Sequence, residues 1–383
     1  MPCKSLTVPL LPRRRGLAEF PTSVLVPRSW LLQHTCPAIR YRTLTEIFPD
    51  SDPLLAESLR AELENVAAGR QVVKKQKDTG VWGGNLLGVS PNKAAGIKDV
   101  GTYHQYLRLV ELGWNRESRP LKIGSRLLFR LLSRDPDPKL LFEYAKYDSA
   151  EPGAEPWIRK AIREAAAAAL ARSGFGDDPR VRGAAHAAAN QISSFLRSDL
   201  AAQPLVKSGS TWVLSPLATP PTIFTVALLA HLPAVQRERA GLVERLGAYL
   251  AQPDGKKPFG ILCGKKVLKQ TFVIVGDPIK VSAAGQAEDL PLALYWMELL
   301  ARLGALRHST SAPKVWARLA KDCDQDGAWR PRNLRSLPKR VLPWSYHSFP
   351  LEGEARSTEA RQADVTFRMA LIARLAGWEI SAT

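Results

Sequence analysis

Two aromatic–histidine pairs are the residues best equipped for chemistry. Tyr103-His104 opens a predicted helix, and Tyr346-His347 closes the stretch Trp344-Ser-Tyr-His. An imidazole titrates near neutrality and can meet a ligand, although inside a helical array it more often serves as a hydrogen-bonded structural group. Two basic stretches come next: Lys265, Lys266 and Lys269, then Arg330, Arg332, Arg335, Lys339 and Arg340. If both open on one rim they can clamp phosphate groups; otherwise they are solvated surface. The four cysteines (Cys3, Cys36, Cys263, Cys323) are scattered, with no CxxC pair, so they offer no disulfide framework. No glycine-rich phosphate loop, H-E-x-x-H helix or G-x-S-x-G elbow occurs in a supporting context. No cofactor and no metal is expected.

The elements that must position these groups are read from composition first. The chain has 383 residues, 45% of them hydrophobic, and a formal net charge of +18. That length suits two domains or one array of repeats, and that apolar content excludes global disorder. Abundant Ala and Leu tilt the expectation toward helix. No apolar run reaches the roughly 18 residues needed to span a bilayer. Residues 1–27 carry Arg13-Arg14-Arg15 without a continuous apolar core, interrupted by Pro9, Pro12, Pro21 and Pro27, and read as a flexible basic arm. A cytoplasmic protein is the resulting expectation. The positive charge raises nucleic acid, an anionic membrane or a diphosphate as partners.

Repeats organise the remainder, 28–383, into a single domain. Amphipathic segments ending in the pattern L-x-x-L followed by Gly or Pro close at Gly113, Gly174, Pro233, Gly304 and Gly377, spaced by about 60 to 73 residues. Glycine just beyond the last apolar turn is what a left-handed helix C-cap requires. Second helices follow at 119–132, 179–196, 241–251 and 313–321, with Asp178-Pro179 a clear start signal. Those helices lead into turns of the form Q-x(n)-G-x-W: Gln76 to Trp82 and Gln325 to Trp329, with degenerate copies at Gly209 to Trp212 and Asp254 to Phe259. Glycine frees the turn, and the indole packs between helix pairs. Trp82, Trp212 and Trp329 are therefore staples first and candidate cavity-lining residues second. The β-branched run Val267 to Val275 predicts a small hairpin insertion near 265–282.

These turns, with the D-D-P-R helix start between them, resemble the terpenoid cyclase and protein prenyltransferase superfamily, over about residues 35 to 380. The resemblance implies an all-α fold: an α/α toroid of five to six helix pairs around an apolar cavity that holds an isoprenoid or another hydrophobic ligand. Cyclases of this kind use an acidic D-x-D-D-type cluster as proton donor. Here Asp135-Pro-Asp137 and Asp322-Cys-Asp324-Gln-Asp326 do not match it, and the second cluster is better placed to cap turn backbone. Prenyltransferases hold zinc through Asp, Cys and His, and the tight Asp322-Cys323 spacing departs from that pattern too. The fold is thus implied more firmly than any activity, and catalysis is left open. Beside the isoprenoid reading stand a nucleic-acid-binding helical array and a non-catalytic interaction scaffold.

Overall fold

The helix stops foreseen from glycine govern the chain path. In the computed structural model, which describes residues 19–49, 51–89, 99–133, 143, 155–253, 258–269, 272–332, 334–352 and 357–383, the element order is β1 (Ser23–Val26), α1 (Arg28–His34), α2 (Pro37–Arg42), a π-turn (Thr43–Ile47), α3 (Pro53–Leu63), α4 (Ala67–Lys74), α5 (Thr102–Glu111) and α6 (Arg119–Leu132). Then follow α7 (Glu155–Arg172), α8 (Pro179–Leu196), β2 (Leu205–Ser208), β3 (Thr211–Leu214), α9 (Ile223–Ala230), α10 (Pro233–Glu238) and α11 (Ala240–Leu250). The chain continues through β4 (Phe259–Cys263), β5 (Lys266–Lys269), α12 (Leu290–Arg302), α13 (Ala312–Ala320), α14 (Thr358–Leu375) and β6 (Glu379–Ala382).

Four of the five expected helix stops share one hydrogen-bond device. The backbone N–H of Trp114, Phe175, Ala305 and Trp378 reaches back to the carbonyl of Leu109, Leu170, Leu300 and Ala373 respectively, at 2.8–3.1 Å. This satisfies carbonyls that the helix end leaves orphaned. Pro233 behaves differently: it opens α10, because its fixed φ and missing N–H suit a first helical turn. Helix starts are also chemically explicit. Asp178 accepts from Arg180 N–H at 2.9 Å, Asp289 from Leu292 N–H at 2.9 Å, and Thr222 forms a reciprocal capping box with Thr225.

The all-α toroid is not what forms. About 53% of the described residues are helical and 11% lie in strands or isolated bridges, and two sheets are present, so the fold is mixed α and β. A parallel pair joins β1 to β6, bringing residues 23–26, expected in the arm, against the C-terminal strand. A four-stranded mixed sheet runs β2–β3–β4–β5. The hairpin expected near 265–282 begins earlier, at Phe259, and its second strand ends at Lys269. Trp212 and Phe259, read as degenerate turn tryptophan positions, are instead partners across the parallel β3–β4 pair. The reason is length: strands of four or five residues leave too little alternation to distinguish from a turn.

The two complete turns form as a matched pair, in a register the sequence motif misaligns. Antiparallel bridges join Gln76 to Trp82 and Cys323 to Trp329, so Cys323, and not Gln325, occupies the place of Gln76. Lys77 and Asp324 each donate a backbone N–H to the residue before the tryptophan, Val81 and Ala328, at 3.0 and 2.9 Å. Gly80 and Gly327 take φ of 87° and 92°, which side-chain-bearing residues rarely adopt. In both turns the backbone N–H of the tryptophan donates to a threonine hydroxyl of a helix: Trp82 to Thr102 and Trp329 to Thr366, each at 3.0 Å. The core lies between α5, α7, α9, α12 and α14. Helices α9 and α12 are buried over almost their whole length, which is why they carry apolar residues on every face.

Candidate functional site

On the axis where these helices meet, the interior is charged and filled. The ends of α2, α5, α7 and α12 and the middle of α14 contribute four arginines (Arg42, Arg172, Arg302, Arg368) and, with the π-turn, three glutamates (Glu46, Glu111, Glu298). Arg368 joins Glu111 at 2.7 Å and Glu298 at 2.6 Å; Arg172 reaches Glu111 and Arg302 reaches Glu298, both at 3.0 Å. Burial opposes ionisation of Glu111, yet Arg42, Arg172 and Arg368 hold its carboxyl well below the usual range. The void left beside this network, lined by Tyr103, Leu107, Glu111, His231, Tyr295 and His347 among others, measures about 10 Å³. That is room for about one water molecule, and an isoprenoid chain does not fit there.

The two aromatic–histidine pairs do come together, next to this plug. His104 and His347 lie with ring centroids 6.0 Å apart; Tyr103 packs edge-on to both, and Tyr346 edge-on to His104. Helix α5 supplies Tyr103 and His104; the 343–349 segment supplies Tyr346 and His347. Burial lowers the His347 pKa to about 4, and burial with His347 and Arg340 nearby takes His104 well below the ordinary imidazole value. Both rings are neutral near pH 7, and the Nδ1 atom of each is buried without a hydrogen-bond partner among the described residues.

Outward from Tyr346 opens a cleft of about 510 Å³ between α4, α5 and the segment 340–350, within the range of small-molecule sites. Its polar wall consists of Gln105 and Arg108 from α5, Gln71 and Lys75 along and just past α4, and Arg340. Ala67, Ala68, Val72, Phe349 and Pro350 supply an apolar wall. Lys75 is neutralised by Asp99 at 2.8 Å. The two arginines feel carboxylates only at a distance, Asp364 near Arg108 and Asp289 near Arg340. Arg108 donates to the His347 carbonyl at 3.5 Å, and Arg340 donates to the Phe349 carbonyl at 3.0 Å with its guanidinium 4.5 Å from the Tyr346 ring centroid. Neither forms an ion pair among the described residues, and burial depresses the pKa of each. Gln105, buried, makes no side-chain hydrogen bond among the described residues, so its amide is available to the cleft. Two guanidinium groups, free amides and an apolar wall form a surface for an anionic head with an apolar body.

The other expected site residues lie elsewhere. Trp82 is fully buried and donates its indole N–H to the Val72 carbonyl at 2.8 Å, a staple between α4 and α5. Trp329 is likewise buried. Trp212 is half-buried in β3, with Lys207 Nζ 5.7 Å from its ring. Lys265, Lys266 and Lys269 are exposed on the β4–β5 hairpin, whereas Arg330 and Arg332 are exposed on the loop after Trp329, with Arg330 held by Asp324 at 2.7 Å. Asp324 also accepts from the N–H groups of Asp326 and Ala328, so this acidic cluster caps its own turn. Asp135 and Asp137 lie outside the described residues. Among the described residues no group of three or more His, Cys, Asp or Glu side chains could hold a metal ion. Sequence reasoning missed Arg108 and Gln105, which sit inside a continuous helical pattern. The only signal was an arginine on the apolar stripe Leu107-Arg108-Leu109. Comparison with family models, curated proteins and solved structures finds no match to this chain.

Proposed function

We propose that the chain binds an organic anion, a phosphate- or diphosphate-bearing molecule with an apolar body, in the cleft between α4, α5 and segment 340–350. The observation that carries this reading is the pair Arg108 and Arg340: two guanidinium groups facing about 510 Å³ of space, neither ion-paired to a carboxylate among the described residues. Keeping a partly buried cation unpaired costs folding free energy that a bound anion recovers. Tyr346 and Phe349 give the organic part of the ligand an aromatic edge to lie against.

A hydrophobic ligand on the axis between the helices is the weaker reading, since the Arg–Glu network and about 10 Å³ of void leave it no place. Nucleic acid rests on the net charge of +18 alone. The test is thermal unfolding in rising inorganic pyrophosphate and in rising hexyl phosphate. Ligand that binds only the folded state raises the midpoint by mass action. The expected result is a saturable rise that is larger for hexyl phosphate and disappears in the double variant Arg108→Met/Arg340→Met. A rise that survives in that variant would place anion binding outside the cleft.

A further inference from the structure

The four-stranded sheet exposes apolar side chains on one side, at β2 and on the β4–β5 hairpin. Strand register places Val206, Val213, Gly260, Leu262, Val267 and Lys269 on that side, and Lys207, Trp212, Leu214, Ile261, Cys263 and Lys266 on the other. Leu214, Ile261 and Cys263 are buried in the core, and on the first side Val213 and Gly260, at the centre, are buried as well. On the first side Val206 is 42%, Leu262 38% and Val267 40% exposed, and Leu217, just past β3, is 79% exposed. Only three other large hydrophobic residues among those described, Leu25, Leu54 and Val341, are as open. Among the described residues, four of the seven exposed large hydrophobic residues therefore lie on this sheet or just past it.

Exposed lysines border the same residues: Lys269 lies on their side of the sheet and Lys265 in the β4–β5 turn, while Lys207 and Lys266 are exposed on the strands' other side. Neither 204–217 nor 258–269 contains an Asp or Glu. Aliphatic side chains ringed by lysine without acidic residues suit an interface that is apolar inside and anionic at its rim. We propose that the side of the sheet carrying Val206, Leu262 and Val267 docks the protein peripherally on an anionic lipid bilayer, with these three side chains entering the headgroup boundary and Lys265 and Lys269 beside them meeting lipid phosphates and carboxylates. A nucleic-acid backbone offers the valines and leucine nothing to enter, and this face carries no aromatic ring to stack on a base. No helix among the described residues is long and apolar enough to cross a membrane, so the attachment is at the surface.

The experiment is co-sedimentation of the full chain with phosphatidylcholine vesicles, with and without phosphatidylserine, at low and high salt. The expected result is at least about tenfold more protein bound to the anionic vesicles, falling as salt rises. Leu262→Asp/Val267→Asp abolishes that binding, and Lys265→Glu/Lys266→Glu/Lys269→Glu reduces it to the level of neutral lipid. The lysine variant unfolds thermally close to the parent, because its altered side chains are exposed. The aspartate variant, whose two carboxylates face each other across β4–β5, unfolds a few degrees lower and stays folded at the temperature of the binding assay. Equal binding to neutral vesicles, no binding at all, or full binding by the aspartate variant overturns the proposal. So does a concentration-dependent dimer, seen by sedimentation velocity, that the aspartate variant abolishes, because the face then belongs to a second copy. Duplex DNA binding that the lysine variant loses and the aspartate variant keeps overturns it in favour of nucleic acid.

Discussion

His347 shows how much a single side chain's surroundings decide. Buried against Tyr103, Tyr295 and His104, it is neutral in the folded chain with a pKa of about 4, whereas the imidazole of an unfolded chain titrates near 6.5. A depressed imidazole stabilises the fold fully above about pH 6.5, and that contribution drains away as pH falls toward 4. His104 and His231, also held well below 6.5 by burial, act in the same direction. The raised carboxyls of Glu143, Glu164, Glu352 and Asp364 act in the opposite one, losing stability as pH rises. Urea unfolding at pH 7, 6 and 5, compared between the parent and His347→Phe, separates the two. The parent loses up to about 1.4 kcal/mol more per pH unit than the variant, which keeps the ring packing but cannot take up a proton. Equal pH slopes would mean His347 is not held neutral by the fold.

The matched turns belong to the scale of elements. A threonine from a helix secures each tryptophan N–H, so Thr102→Val and Thr366→Val each leave a buried donor unmet and cost about 1–3 kcal/mol in denaturant unfolding. Thr102→Val is the more harmful of the two, since Thr102 also donates to the Asn85 carbonyl at 3.0 Å. A cost below that range in both would show that water reaches these turns. Much at this scale was legible in the sequence. Helices α6 and α8 have the very bounds that periodicity and the Asp178 cap predict, and four glycine stops end their helices. What was not legible has physical causes. Four-residue strands carry too little alternation, so Trp212 and Phe259 looked like turns. Cys323 replaces a glutamine whose amide in the first turn donates to the Pro120 carbonyl at 2.9 Å, a bond thiol chemistry does not copy. At the site, four of the expected residues (Tyr103, His104, Tyr346 and His347) do cluster. Arg108 was missed because an arginine in a helix usually faces water, and only packing by the distant 340–350 segment turns it inward.

For the whole molecule, the charged hub and the cleft make separable statements. The hub links helices distant in sequence: Glu111 of α5 meets Arg42 of α2, Arg172 of α7 and Arg368 of α14. Glu111→Gln leaves those cations short of charge inside the core, with an expected loss of about 3–5 kcal/mol in urea unfolding. A loss under 1 kcal/mol would mean that solvent reaches the hub. The cleft lies beside that hub and not in it, so the binding function can be removed while the fold is kept. The most direct measurement is a calorimetric titration of hexyl phosphate into the parent, Arg108→Met, Arg340→Met and the double variant. Each bidentate, charge-assisted contact is worth about 1.5–3 kcal/mol, so each single variant weakens binding by roughly tenfold to a hundredfold and the double variant shows no heat of binding. An isotherm for the double variant that overlays the parent's would contradict the account.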